Sequence, residues 1–333
     1  MSDEWALRPI GLHAAEPTDP PVSPDPADWG DVPVGPPADR IDPPFEVLAP
    51  ARQTVPIVFN APHSGRDYPA GFLGDARLDL RDLRGSEDAF VDTLLEGVVE
   101  MGAPLLRARF PRAYLDVNRE PFELDPRLFA SLPPYANART LRVAAGLGTI
   151  ARVVADAKAI YRRPPSVEEA LARIAAYYVP YHRALRGLVD ATVARFGVCI
   201  LVDGHSMPSL SRIGATAPAG ASERRAHFVL GDRHGTSCSP AVIDAAHAAL
   251  RRRGHPVSRN APYAGGYITE HYGRPDEGVH VLQVEINRAL YMDEARIAPN
   301  RAFTRTQNSV MAMAEALVDL DAEAYLGLPI AAE

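Results

Sequence analysis

The feature that most constrains this chain is a change of rhythm at Val55. Beyond it, short apolar runs alternate with longer amphipathic segments, and two of the runs end directly in histidine-bearing polar strings. Residues 55–59, 105–110, 113–117, 198–202, 227–230 and 279–286 read as strands, several apolar enough to be buried on both faces. Helices are predicted over 87–102, 149–161, 167–196, 240–253 and 301–325. Ser166 and Glu169 form a capping-box pattern at the start of the third helix, and Pro180 should kink or divide it. Strands interleaved with helices imply an α/β fold around a largely parallel or mixed sheet.

Upstream of this rhythm the chain changes character: 12 of its 32 prolines fall within residues 1–50. Proline lacks a backbone donor and disfavours helix in the residue before it, so residues 1–50 are expected to be a proline-rich extended or disordered arm ahead of a single domain over 51–333. A proline-rich ligand for a partner is the less favoured reading of the arm, because acidic and small residues separate the prolines. The 333 residues carry 35 Lys and Arg against 42 Asp and Glu, a net charge of −7 with no basic run, which argues against nucleic acid as a partner. No stretch approaches the roughly 20 apolar residues of a membrane span. The first ten residues carry Asp3 and Glu4 where a secretory signal would be basic, so the expected location is cytoplasmic. Cys199 and Cys238 lack CxxC spacing and suggest neither a zinc knuckle nor a redox pair.

Three strings can carry chemistry. Asn60-Ala61-Pro62-His63-Ser64-Gly65 follows the first strand, and Asp203-Gly204-His205-Ser206 follows the run 198–202. Ligands of open α/β sheets bind beyond the carboxyl ends of the strands, so two histidines there suggest a metal pair, with a hydrogen-bonded structural role as the alternative. A catalytic zinc site needs a third protein donor, and Ser86-Glu87-Asp88 offers two adjacent carboxylates, although acidic residues in a first helical turn are also favoured by the helix dipole. Asp203 is placed to orient an imidazole. In the third string, Glu285 sits between Val284 and Ile286 on a strand apolar enough to be buried. A buried carboxylate must be neutral, paired or functional: the structural reading is an ion pair with Arg288 or another arginine, the functional one a general base. Arg112 and Arg119, with Asn118, flank residues 113–117 and suit a carboxylate-bearing substrate. Gly265-Gly266 opens a loop in which Thr269, His271 and Tyr272 offer short polar reach toward a ligand.

In this order, PHSG, SED, PRAYLDVNR, DGHS, GGYITEHYGRP and VHVLQVEINRALYMDE resemble the N-formylglutamate amidohydrolase family over about residues 55–320. The resemblance implies a three-layer α/β/α sandwich around a mixed, largely parallel sheet, like that of zinc exopeptidases and aspartoacylases. It further implies one zinc ion per chain, held by His63, His205 and a carboxylate of the SED string. Asp88 is favoured there because it falls where the family more regularly has aspartate, with Glu87 as the alternative. Glu285 resembles the general base and acid of carboxypeptidase-type hydrolysis. Asn118-Arg119 resembles that superfamily's carboxylate-binding pair, and Arg112 is the candidate for stabilising an oxyanion. In place of the compact HxxE motif of carboxypeptidases the chain has His63-Ser64-Gly65-Arg66, so the carboxylate ligand must come from further along. The expected activity is removal of the formyl group from N-formyl-L-glutamate, a small carboxylated N-acyl amino acid. The alternatives are a deacylase or carboxypeptidase-like hydrolase of another N-acyl amino acid, a non-catalytic carboxylate-binding protein, or a zinc-free structural role for both histidines.

Overall fold

The computed structural model of the chain describes residues 35, 37, 39–154, 157–209 and 226–320. Its main sheet contains β1 (Phe45–Leu48), β2 (Ile57–Ala61), β3 (Leu105–Ala108), β4 (Cys199–Met207), β5 (Phe228–Gly231), β6 (Val257–Arg259) and β7 (Val279–Asn287). They stand in the order β1-β3-β2-β4-β7-β5-β6. β3, β2, β4 and β7 run parallel, while β1 and β5 pair antiparallel with β3 and β7, and β6 runs with β5. The sheet is thus mixed and mostly parallel, as the alternation of elements implies.

Strand side chains alternate between faces, and this period divides the core in two. Val58, Cys199, Leu201, Val279 and Val281 pack on one face with Tyr177, Tyr181, Leu185 and Val189 of a long helix. Phe59, Ile200, Val202, Leu282 and Val284 pack on the other with Leu94, Val242, Ile243, Val310 and Met313 of three further helices, Val91–Leu95, Pro240–Arg252 and Phe303–Val318. These are the three layers. Each fully buried Val, Leu or Ile contributes roughly 1.5–3 kcal/mol, and that sum offsets the cost of the polar groups the same strands carry at their carboxyl ends.

The long helix begins at Ser166 with the expected capping box. It runs as Val167–Arg173 and Val179–Phe196, joined by a π-helical turn at Ile174–Tyr178. The helix continues through Pro180 to Phe196, interrupted only by this π-helical turn just before it. A wider turn just before a proline gives room at the carbonyl its ring would otherwise meet.

Other expectations are corrected. Residues 113–117 form a buried turn, not a strand: Tyr114 N–H donates to Pro111 O at 2.9 Å and Asp116 N–H to Thr149 O at 2.9 Å, so these backbone groups are satisfied outside the sheet. Residues 87–102 yield only the short helix Val91–Leu95 and a 3-10 turn, because the chain turns into helix through Phe90 at φ 67° and leaves it at Gly102, φ 89°. The segment 149–161 contains no α-helix among its described residues and is tied by isolated bridges such as Ala76 with Tyr161. The boundary set at residue 50 falls inside the sheet, since Phe45–Leu48 is its edge strand. The proline-rich residues 1–34 and the end of the helix expected over 301–325 lie outside the described residues. Among those described, no helix is long and apolar enough to cross a membrane.

One buried contact, between the residues leading into β5 and β6 and the last helix, is sensitive to pH. His255 Nε2–H donates to Ser309 Oγ at 2.8 Å, leaving Nδ1 to accept from Nδ1–H of His227 at 3.0 Å. Protonation would remove that acceptor. Burial, then the fields of His227 and Arg305, push His255 down to about 4. An unfolded histidine binds its proton near pH 6.5. Between these values the unfolded chain holds a proton the folded chain lacks, so stability falls as pH drops through the window. In thermal melts at pH 7 and pH 5, His255→Gln should lose less of its melting temperature between the two than the parent; an equal loss would show that His255 contributes nothing to the acid limb.

Candidate active site

The central parallel strands end together, and their side chains on one face change there from apolar to polar. On β4, Cys199 and Leu201 give way to Asp203 and His205; on β7, Val279 and Val281 give way to Gln283 and Glu285. The register sets Asp203 opposite Gln283 and His205 opposite Glu285. His63 follows the end of β2, in a turn so close to its neighbours that a Cβ at Gly65 would collide with the carbonyl of Phe110. Asp88 N–H donates to His63 O at 3.0 Å and Ser64 Oγ to Asp88 O at 3.0 Å, so the PHSG and SED strings clasp each other through backbone atoms.

The result is a buried triad of His63, Asp88 and His205, whose potential ligand atoms lie within 4.8 Å of one another. His63 Nδ1 and His205 Nδ1 lie 3.3 and 3.1 Å from Asp88 Oδ2. Each ring is held from behind by a carboxylate, His63 Nε2 by Asp116 at 2.7 Å and His205 Nε2 by Asp203 at 2.8 Å. A carboxylate only accepts, so the proton belongs on each Nε2 and the Nδ1 lone pairs face Asp88. His63 Nδ1 is a buried polar atom without a hydrogen-bond partner. Ligand bonds of about 2.0–2.1 Å in a tetrahedral zinc site put ligand atoms roughly 3.3 Å apart, which matches these separations. The residues present therefore fit a metal ion of this kind. Asp88 stands between the two imidazoles, whereas Glu87 accepts from Tyr68 OH at 2.8 Å and from Arg84 Nε at 3.1 Å.

Burial alone would raise the Asp88 carboxyl, but the adjoining His205 and His63 and the charge of Arg112 outweigh it and hold it well below the usual range. Asp116 is held low against the same burial by Arg119, His63 and Arg112. Glu285 goes the other way: burial, augmented by Asp88 and resisted by His205, pushes it up to about 7. Its Oε1 accepts from Gln283 Nε2 at 3.1 Å. The structural alternative for Glu285, an ion pair with Arg288, is not formed: Arg288 reaches Asp88 Oδ1 at 3.3 Å, Ser206 Oγ at 3.0 Å and the carbonyls of Gly85 and Glu87.

Triad and Glu285 open into a cavity of about 590 Å³ that Arg112, Asn118 and Arg119 also line. Arg112 donates to Asp116 Oδ2 at 2.8 Å. Arg119 donates to the carbonyls of Leu147 and Asn118 at 2.8 and 2.7 Å. Asn118 Oδ1 accepts from Ile268 N–H at 2.8 Å, and its amide approaches Gly266 so closely that a Cβ there would meet Nδ2 at 2.5 Å. Thr269, His271 and Tyr272 do not line the cavity, contrary to expectation. They belong to the helix Tyr267–Tyr272, whose geometry turns Thr269 and Tyr272 into the protein and stacks His271 on Tyr267; Tyr272 OH lies 3.0 Å from His182 Nδ1. The preceding Pro262, Tyr263, Ala264, Gly265 and Gly266 form that wall instead.

Several supporting residues escaped the sequence reading. Asp116 is one, although it stands between Leu115 and Val117 as Glu285 stands between Val284 and Ile286, and the same argument from a carboxylate in an apolar run would have found it. Tyr178 and Tyr181 donate to Arg119 O at 2.7 Å and Asn60 Oδ1 at 2.5 Å, and Asn60 Nδ2 donates to Asp203 at 2.8 Å. On a helix such tyrosines look like ordinary core, and no local signal distinguishes them.

With this geometry in place, comparison with known proteins is specific. The family model for N-formylglutamate amidohydrolase matches residues 55–292. An N-formylglutamate deformylase of Pseudomonas aeruginosa is 33% identical over 258 residues, covering 75% of this chain and 86% of that protein. One from Pseudomonas putida is 26% identical over 252 residues, with 75% and 86% covered. The crystal structure of an N-formylglutamate amidohydrolase from Ralstonia eutropha superposes with a TM-score of 0.75 at 38% identity, covering 82% of this chain and 97% of that one. By the span of the family match and by this identity, the chain belongs to the N-formylglutamate amidohydrolase family.

Proposed function

We propose that the protein is a zinc-dependent amide hydrolase that removes the formyl group from N-formyl-L-glutamate, with one zinc ion per chain held by His63, Asp88 and His205. The observation that carries this reading is the register of β4 and β7, which sets Glu285 directly beside His205 in the cavity of the His-Asp-His triad. The similarity to the Pseudomonas deformylases supports the choice of substrate. A metal at the triad supplies Lewis acidity toward a carbonyl oxygen and lowers the pKa of water.

The remaining work falls to side chains. Glu285, with its proton affinity raised by burial, takes a proton from the attacking water and delivers it to the departing nitrogen. Arg112, whose charge acts on both Asp88 and Glu285, faces the negative charge that develops on the formyl oxygen. Asn118 and Arg119 hold the α-carboxylate and fix the formyl carbon relative to Glu285. Asp116 and Asp203 keep the imidazoles in the tautomer that presents Nδ1.

Glu285→Gln should retain the parent's metal content while turnover falls by about 10²–10⁴-fold, the usual scale for losing a general acid–base group. His63→Ala should lose the metal and formate release together. Metal analysis alongside a formate assay checks both, and a metal-free preparation of the parent with full activity would overturn the proposal. The same assay on N-formyl-glutamate, N-formyl-aspartate and N-acetyl-glutamate should give turnover chiefly on the first; equal rates on all would make the protein a broader deacylase. Asp116→Asn keeps the shape of the contact to His63 but not its charge, and should weaken zinc affinity about 10–100-fold in a chelator competition.

A further inference from the structure

Resting on the deformylase reading, we propose that Arg142 selects the substrate's second carboxylate, the one on its side chain, and so makes the enzyme specific for dicarboxylic N-acyl amino acids. One wall of the catalytic cavity is built from a single stretch of chain: Arg142, Ala145, Leu147, Ala151, Val153 and Val154. That wall is apolar except at Arg142, which suits a short aliphatic chain ending in an anion. The cavity's other arginines already have protein hydrogen-bond partners. Arg112 is held by Asp116, Arg288 by Ser206 and two backbone carbonyls, and Arg119 by two carbonyls. Half-buried Arg142 is the one among them whose side chain makes no hydrogen bond or ion pair with the described residues; buried Glu123 acts on it only through its field.

The electrostatics of the wall agree with the geometry. Burial, followed by the like charges of Arg112 and Arg142, holds Arg119 below the ordinary arginine range despite Asp116 nearby. Cations crowded in a partly desolvated cavity are relieved by anions. A ligand with one carboxylate at Arg119 and Asn118 leaves Arg142 uncompensated, whereas a dicarboxylate satisfies both ends. A neutral amide of the same shape, as in N-formyl-glutamine, cannot.

The test compares kcat/KM on N-formyl-glutamate and N-formyl-glutamine for the parent, Arg142→Met and Arg142→Lys, with melting temperature and zinc content as controls. Arg142→Met retains the packing of the stem while removing the charge. It should lose about 100-fold on N-formyl-glutamate, mainly through KM, and change less than about threefold on N-formyl-glutamine. Arg142→Lys should recover part of the loss on N-formyl-glutamate only. Equal losses on both substrates would assign Arg142 a merely structural or α-carboxylate role, and no loss on either would remove it from recognition; both outcomes overturn the inference while leaving the deformylase reading intact. A parent enzyme that releases formate from neither compound would instead overturn the reading on which it rests.

Discussion

The structure depends above all on burying one carboxylate. Asp88 lies fully inside the protein, and isolated burial of such a charge costs several kcal/mol even after relaxation. It is tolerated because a serine hydroxyl and the Arg288 guanidinium donate to it, beside the two imidazoles. Those partners need partners of their own. His63 leans on Asp116, His205 on Asp203, Asp203 on Asn60, and Asn60 on Tyr181. Removing any one of them leaves a buried polar group exposed to an apolar core, so the network is held as a unit.

This network explains why the fold is arranged as it is. Four parallel strands bring their carboxyl ends to one level, and the period of two puts Asn60, Asp203, His205, Gln283 and Glu285 on the same face. The long helix supplies tyrosines to that face from Val167 to Phe196, and the π turn at Ile174–Tyr178 lets it pass Pro180 while keeping Tyr177, Tyr178 and Tyr181 buried. Function follows from unequal treatment of like groups. Asp88 and Asp116 are held ionised by the cations around them, whereas Glu285, beside the same histidine but with an amide as its hydrogen-bond partner, keeps a raised proton affinity. Carboxylates separated in this way are suited to different tasks, ligation for one and proton transfer for the other.

Much of the site was legible because its residues announce themselves against their surroundings. His63 and His205 stand at the ends of apolar runs, and Glu285 interrupts one. Where the local pattern was ordinary, the reading went astray. Residues 113–117 have the composition of a strand but sit in a turn whose backbone groups bond to Pro111 and Thr149. Thr269, His271 and Tyr272 look like a polar loop beside two glycines, yet a short helix turns them away from the cavity. Asp116 and Arg288 were in view as letters, but their partners lie 53 and 200 residues away in the chain.

The sequence by itself determined the layered α/β class, the strand-end position of the histidines and the presence of a carboxylate within an apolar strand, because hydrophobic periodicity and local contrast are properties of neighbours in the chain. Only the tertiary structure separates the surroundings of Glu87 and Asp88, since adjacent carboxylates diverge according to what each meets: Tyr68 and Arg84 for the first, two imidazoles for the second. It also decided that Arg288 serves Asp88 and that the Arg142 side chain makes no hydrogen bond or ion pair among the described residues. These are choices among long-range contacts. Electrostatic pairing acts over a few ångströms of space and carries no mark in the order of residues.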